Sequence, residues 1–135
     1  MAILGQYGNI GYGTYLTFKG NTYCVQSIEG PSTEIPDDIE ITHSCSTAKQ
    51  YVPGILDNGE LTMEILFDPQ NPVVPDRTTN QLVVVFPRKD PLSPVVGKFI
   101  CQAFVKSAPV SVPNQDKMTQ SVTFRLTGAG TWVYA

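Results

Sequence analysis

The sequence predicts a mainly β fold: an antiparallel β-sandwich or barrel-like domain with one short flanking helix. Three observations carry this. Several stretches alternate polar and apolar residues with the period of a strand. Turn signals separate them, among them Gly30-Pro31 and Asn58-Gly59. Charged residues make up only 16% of the chain, against roughly 25% in ordinary soluble domains, and Ser, Thr, Asn, Gln, Gly and Pro take their place. At 135 residues the length suits one domain with a core that needs no disulfide or metal staple. Residues 1–13, rich in Gly and Tyr, read as an N-terminal arm, and residues 14–135 read as the single domain.

The elements follow in order. Residues 14–18 and 22–29 are strand-like runs joined by a short turn at Lys19, Gly20 and Asn21. Leu16 and Phe18 face the core from the first. The second has apolar residues on both sides, so its core face stays open. Residues 38–42 alternate and suit a half-buried strand. Residues 43–58 show no clear period, and a loop of that length in a small β domain is usually functional. This one carries Tyr51, Val52, Ile55 and Leu56, which predicts that it folds onto a partner surface. Leu61, Met63, Ile65 and Phe67 mark the apolar side of the next strand, with Thr62 and Glu64 opposite.

Residues 69–81 contain closely spaced prolines that exclude a regular strand. Pro75 can open a helix and Asp76 suits its positive end, so a short helix is expected over residues 75–81. Residues 82–86 are continuously apolar, a strand buried on both faces. Residues 88–97 read as a polar hairpin loop. Phe99, Cys101, Ala103 and Val105 line one side of the following strand. Residues 109–117 are a proline-containing connection. In the last strand Val122, Phe124 and Leu126 point inward, while Thr123, Arg125 and Thr127 point outward. Gly128 and Gly130 are expected to end it, leaving a short extension.

Charge divides by halves. Residues 1–68 hold nine carboxylates and two cations, whereas residues 69–135 hold three carboxylates and seven cations. Either the chain presents two surfaces of opposite sign, which copies stacked head to tail would bring together, or the halves interleave and the charges mix. Few charges likewise fit either a surface buried in an assembly or an uncharged β surface. The three cysteines, Cys24, Cys45 and Cys101, make no complete disulfide framework. No secretory leader and no membrane span is expected, which points to synthesis in a reducing cytoplasm.

The chemistry-bearing residues suggest no catalytic, metal or cofactor site. His43 and Cys45 form H-x-C, but structural zinc uses ligands paired at short spacing, and an exposed histidine beside a thiol is the better reading. A Cys–His nucleophile needs an ordered pocket that the sequence does not indicate. Glu34, Asp37, Asp38 and Glu40 lack the spacing of a calcium loop and read as a solvated acidic turn. Gly8, Gly11 and Gly13 lie in the arm, not between a strand and a helix, so they read as flexibility rather than a phosphate cradle. No basic and aromatic patch reads as a nucleic-acid module.

Taken together, I-x-G-P-S at residues 28–32, I-E-I-T-H at 39–43, Y-V-P-G-I-L-D-N-G-E-L-T at 51–62, L-V-V-V-F-P at 82–87 and the run of residues 99–128 resemble the major tail tube proteins of long non-contractile-tailed bacteriophages. The similarity spans residues 12–128. It implies a structural virion protein that joins edge to edge into a hexameric ring with one continuous inner β-barrel. The rings stack into the conduit for DNA delivery. That family also packs a helix outside the sheets, where this chain is rich in proline. A small antiparallel domain has edge strands that invite pairing, and ring closure satisfies them. With strands about 4.8 Å apart and tilted by about 40°, a barrel of roughly 24 strands has a backbone diameter of about 45–50 Å, room for duplex DNA.

A DNA conduit must not hold its cargo by counterion release, so the lumen should be polar and neutral to acidic. Thr62 and Glu64 are the lumen candidates, and Arg125 on such a wall needs a carboxylate partner. Tyr51, Val52, Pro53, Ile55 and Leu56 are the candidates for ring stacking, with the N-terminal arm assisting. The implied partners are further copies of the chain, a tape measure protein, a tail terminator and tail-tip or baseplate proteins, with double-stranded DNA passing unbound. The location is the virion, after assembly in the host bacterial cytoplasm. Two alternatives stand beside this: the tube protein of a contractile tail or secretion system, and a monomeric β-sandwich module that binds a receptor or carbohydrate.

Overall fold

The computed structural model describes residues 13–45, 47–87 and 96–134. The arm expected over residues 1–13 falls, apart from Gly13, outside the described residues, as does most of the 88–97 loop. Among the described residues nine strands follow one another: β1 (Tyr15–Phe18), β2 (Asn21–Glu29), β3 (Asp38–Glu40), β4 (Tyr51–Pro53), β5 (Glu60–Leu66), β6 (Asn80–Val85), β7 (Gly97–Ser107), β8 (Val110–Ser111) and β9 (Thr119–Tyr134).

All pairings are antiparallel. The main sheet runs β5-β2-β1-β6-β7-β9, and β9 pairs back onto β5, so six strands close a barrel. The sheet thus closes within one chain, the barrel-like form of the expected fold. Closure follows from the length of β9, which lies beside β5 through residues 119–125 and beside β7 through residues 123–134. The β1–β2 turn has two central residues, Lys19 and Gly20, at φ +52° and +79°, the left-handed pair that a two-residue hairpin requires.

The core is the inward face of these strands. Leu16 and Phe18, Leu61 and Met63, Leu82 and Val84, Phe99, Cys101, Ala103 and Val105, and Val122, Phe124 and Leu126 are all buried. Phe18 and Phe124 meet at 4.9 Å between ring centroids. On β2 the register shifts between Val25 and Ser27. Tyr23 lies opposite buried Leu16, and Ile28 lies opposite buried Met63. The inward parity therefore switches from odd to even residues along one strand, which is why the sequence left its face open.

Four expectations are corrected. Residues 75–81 form no helix. Val73 is buried instead, and the buried Gln120 side chain donates from Nε2 to the Val73 carbonyl at 2.8 Å and accepts the Val73 N–H at 3.4 Å. Asp76 accepts the Thr78 N–H at 3.3 Å and pairs with Lys19, so it closes a local turn rather than capping a helix. The strand at 38–42 is shorter, β3, and exposed on both faces rather than half-buried. The 43–58 loop contains β4, which pairs back onto β3 as a separate two-stranded sheet. Gly128 does not end β9. At φ +77° it sits in a register shift between Gln102↔Thr127 and Ile100↔Thr131, and the strand continues to Tyr134.

Candidate assembly and lumen surfaces

Residues 34–57 form a hairpin arm that leaves the barrel. At its base Glu34 and Asp57 exchange backbone hydrogen bonds at 2.8 Å, and further out Gly54 N–H donates to Asp37 O at 2.7 Å and Ile41 N–H to Gln50 O at 2.9 Å. Near the tip Cys45 N–H donates to His43 Nδ1 at 3.2 Å. The β3–β4 register pairs Ile39 with Val52 and Glu40 with Tyr51. Ile39, Ile41 and Val52 therefore share one face, and Asp38, Glu40, Tyr51 and Pro53 share the other. Ile35, Ile39, Ile41, Tyr51, Val52, Ile55 and Leu56 are all exposed, Ile55 at 88%. So much apolar surface outside the core marks an interaction site. The expected stacking residues thus lie on one arm but split between its faces. Ile35, Ile39 and Ile41 belong with them; alternation around 39–42 was their signal, read in the sequence as one core-facing side.

The arm is fastened at its base. Asn58, only 3% exposed, donates from Nδ2 to Gly128 O at 2.8 Å and accepts the Thr33 hydroxyl at 3.1 Å. Leu126 N–H donates to Gly59 O at 3.0 Å. Asp57 accepts the Gly59 N–H at 2.8 Å and meets Arg125 Nη2 at 3.3 Å. The Gly59 N–H, helped by the Arg125 charge, holds the Asp57 carboxyl below its ordinary value.

Beside the arm, β2, β5, β9 and β7 make one wall of the barrel. Its outer face carries Glu60, Thr62 and Glu64 from β5, Ser121, Thr123 and Arg125 from β9, and Ser27 and Glu29 from β2. Thr62 and Thr123 are cross-strand neighbours with hydroxyls 3.4 Å apart, and Glu64 lies opposite both Ser27 and Ser121. The expected lumen residues thus share one polar surface on β2, β5 and β9, interrupted by exposed Leu66 and bordered on β7 by outward-facing Ile100 and Phe104. Arg125 has the carboxylate partner that a place on such a wall requires, and Lys106 of β7 pairs with Glu60. That pairing holds the Glu60 carboxyl low. These pairs, with Lys19–Asp76, join the two halves of the chain. Among the described residues the arm carboxylates Glu34, Asp37, Asp38 and Glu40 enter no ion pair, and neither do Glu29 and Glu64 on the wall.

The wall has two open edges. β1 accompanies β2 only as far as Cys24, and β6 accompanies β7 only as far as Ala103. Residues 25–29 and 104–107 therefore keep one side without a ladder partner among the described residues. A cleft of about 510 Å³ lined by Pro75, Arg77, Phe104, Val105 and Lys106 runs along the β7 edge.

Cys24 and Cys45 are exposed thiols, and Cys101 is buried, where burial pushes its thiol up. Among the described residues no three His, Cys, Asp or Glu side chains gather as a metal site, and no helix is long and apolar enough to cross a membrane.

No protein-family model matches the chain, and no curated protein matches it. Solved structures do. A chain from the cap that terminates the tube of the anti-feeding prophage superposes with a TM-score of 0.71 at 15% identity, over 100% of this chain and 97% of that one. A chain from the sheath/tube terminator of the PVC extracellular contractile injection system gives 0.70 at 12% identity, over 96% and 99%. A chain from the PVC sheath–tube complex gives 0.68 at 12%, over 97% and 93%. At these identities the likeness shows a shared fold. Two of the three come from a contractile injection system and the third from a tube-terminating cap, which does not support the long non-contractile tail family in particular.

Proposed function

We propose that this chain is a non-catalytic structural subunit of the tube of a phage tail-like particle. Copies form a hexameric ring, and rings stack through the 34–57 arm with Tyr51, Val52, Pro53, Ile55 and Leu56 at the contact. The β2-β5-β9-β7 wall lines the lumen, with Thr62 and Glu64 on its inner surface. A tube terminator, a tape measure protein and baseplate or tail-tip proteins are its partners. The subunit is made in the host bacterial cytoplasm and ends in the particle.

One observation carries the reading: the wall on which Thr62, Glu64, Ser121 and Thr123 gather, and on which Lys106 and Arg125 are paired with carboxylates, is the same wall whose two edges are open. Its strands alternate in direction and are even in number, so β7 of one copy and β2 of the next meet antiparallel, and the wall continues around a ring. An exposed cationic lumen would hold DNA by counterion release; a neutral to acidic one lets double-stranded DNA pass.

The contractile setting is favoured, because the structural neighbours come from contractile injection systems. The ordered motifs in residues 28–62 support the long non-contractile tail as the second reading. Electron microscopy of the concentrated protein tests the main claim, which expects rings and tubes of uniform bore. A particle that stays monomeric at every concentration, also with its tail partners, sinks it and leaves the monomeric binding module. Sheath on particles isolated from the native source separates the contractile from the non-contractile setting.

A further inference from the structure

The tail of β9 carries a surface that the ring and the lumen do not use. Past Leu126 the strand loses contact with β5, and residues 131–134 pair with β7 alone. Their other edge has no ladder partner among the described residues. Trp132 lies on this tail, 62% exposed. Its ring stacks on Phe86 at 5.8 Å and tilts onto Phe99 at 4.8 Å. Phe99 is core, so the tryptophan extends the core outward as an aromatic shelf. A large aromatic on an open strand edge has the make-up of an interface anchor. Lys98, opposite Val133 in the ladder, lies on the other face of the same strand pair, as Asp38 and Glu40 lie on the other face of the arm from Ile39 and Val52, and it enters no ion pair among the described residues.

The arm has the complementary features. Ile39, Ile41 and Val52 make an exposed apolar face, β3 and β4 each keep an outer edge free, and Asp37, Asp38 and Glu40 add negative charge. Within one chain both surfaces stay exposed. We propose that the arm of one copy docks on the Trp132 shelf of a second copy, with Ile39 and Val52 against the tryptophan and the arm carboxylates toward Lys98. The contact joins two different surfaces, so it does not end in a two-fold pair; made between copies of successive rings, it repeats along the axis as a filament. This rests on the stacking role given to the arm above and names the surface that receives it.

Trp132 is the only tryptophan in the chain, so its fluorescence reads the contact directly. On stacking, its emission shifts to the blue and it loses most of its quenching by acrylamide. The Ile39→Ser, Val52→Ser double variant, altered only at exposed positions, forms rings whose tryptophan emission stays that of the free subunit. Lys98→Glu weakens stacking, and adding Asp38→Lys to it restores tubes. Wild-type tubes whose Trp132 remains as quenchable as in the free subunit overturn the docking while leaving the tube reading intact. So does a blue shift that persists in assembled Ile39→Ser, Val52→Ser protein. Failure of the wild type to form rings or tubes under any condition removes the tube reading, and the docking with it.

Discussion

Asp57, where the arm rejoins the barrel, meets Arg125 of the wall strand β9 at 3.3 Å. The arm and the wall are therefore not independent surfaces. The same carboxylate accepts the Gly59 N–H, and the next residue, Asn58, reaches across to Gly128. Two neighbouring side chains tie the arm base to the same strand, one by charge at the surface and one by hydrogen bonds in the interior.

The charged tie depends on pH. Asp57, Glu60 and Asp76 all have carboxyls held below their ordinary values, by the Gly59 N–H, by Lys106 and by Lys19 respectively. A depressed carboxyl stabilises the fold fully above its unfolded value and loses that contribution as pH falls through the folded one. Urea midpoints should hold above about pH 5 and decline below the ordinary carboxylate range. The Asp57→Asn variant should lose less of its midpoint on acidification than the wild type. Equal acid slopes for the two would rule out this role for Asp57.

The interior tie depends on burial. Asn58→Ala strips the Gly128 carbonyl of its side-chain donor and leaves the Thr33 hydroxyl without its acceptor, at a cost of about 1–3 kcal/mol. Urea denaturation measures the loss. Hydrogen exchange should quicken at the arm base, at the Asp57 and Glu34 amides, more than in β6. Uniform quickening would mean that Asn58 stabilises the barrel without fastening the arm.

Much of the barrel was legible because each wall strand has one wet and one dry face. Leu61, Met63 and Ile65, the Phe99 to Val105 set and the Val122 to Leu126 set all alternate as the core demands. Where the dry face changes parity, at the Val25/Ser27 shift, alternation stopped being informative. The helix at 75–81 was misread because what holds that segment is not local: Gln120 reaches Val73 from 47 residues away. Gln120 does stand at an inward position in the alternation of its strand, a signal of a buried polar group. Residues 43–58 of the arm gave no clear period because the arm buries neither face, and its exposed apolar content, with the alternation at 38–42, was what the sequence showed of it. The partner of Arg125 lies 68 residues away; the sequence could state the need for a carboxylate but not which one.

Two glycines at positive φ separate backbone strain from crowding. Gly20, at φ +79°, has open space around it, so Gly20→Ala meets only the left-handed penalty of about 1–2 kcal/mol. At Gly30, φ +113°, an added Cβ would lie 2.6 Å from Glu60 O and 3.0 Å from Leu61 Cα. Both are backbone atoms at the end of the β2–β5 ladder and cannot step aside without opening it. Gly30→Ala should therefore cost clearly more than Gly20→Ala in thermal or urea unfolding. An equal or smaller loss would show that the β2–β5 ladder yields easily there.

The arm predicts assembly without predicting stability. Tyr51 and Leu56 are about half exposed, at 50% and 46%, so Tyr51→Ser with Leu56→Ser should leave unfolding within about 0.5 kcal/mol of the wild type. Tube formation should be lost. Sedimentation and electron microscopy read the outcome together: folded subunits or single rings are expected, and long tubes from the double variant would take these two residues out of the stacking contact.

The last prediction concerns the wall. Lys106 is matched by Glu60 and Arg125 by Asp57, so these two cations of the surface proposed to face the lumen are masked. Replacing Glu60 with Gln leaves fold and ring geometry in place, since Glu60 is a partly exposed terminal residue of β5, but unmasks Lys106 in every subunit of the ring. Several unpaired cations around one bore release counterions together, and binding then falls steeply with the logarithm of salt concentration. Glu60→Gln rings should retain duplex DNA at low salt and release it as salt is raised, while wild-type rings show no such retention. The Glu60→Gln, Lys106→Gln double variant should return to the wild-type behaviour. Equal, weak binding by all three would mean that this wall does not face the channel. Tight, salt-sensitive binding by the wild type would mean that the ion pairs do not mask the cations.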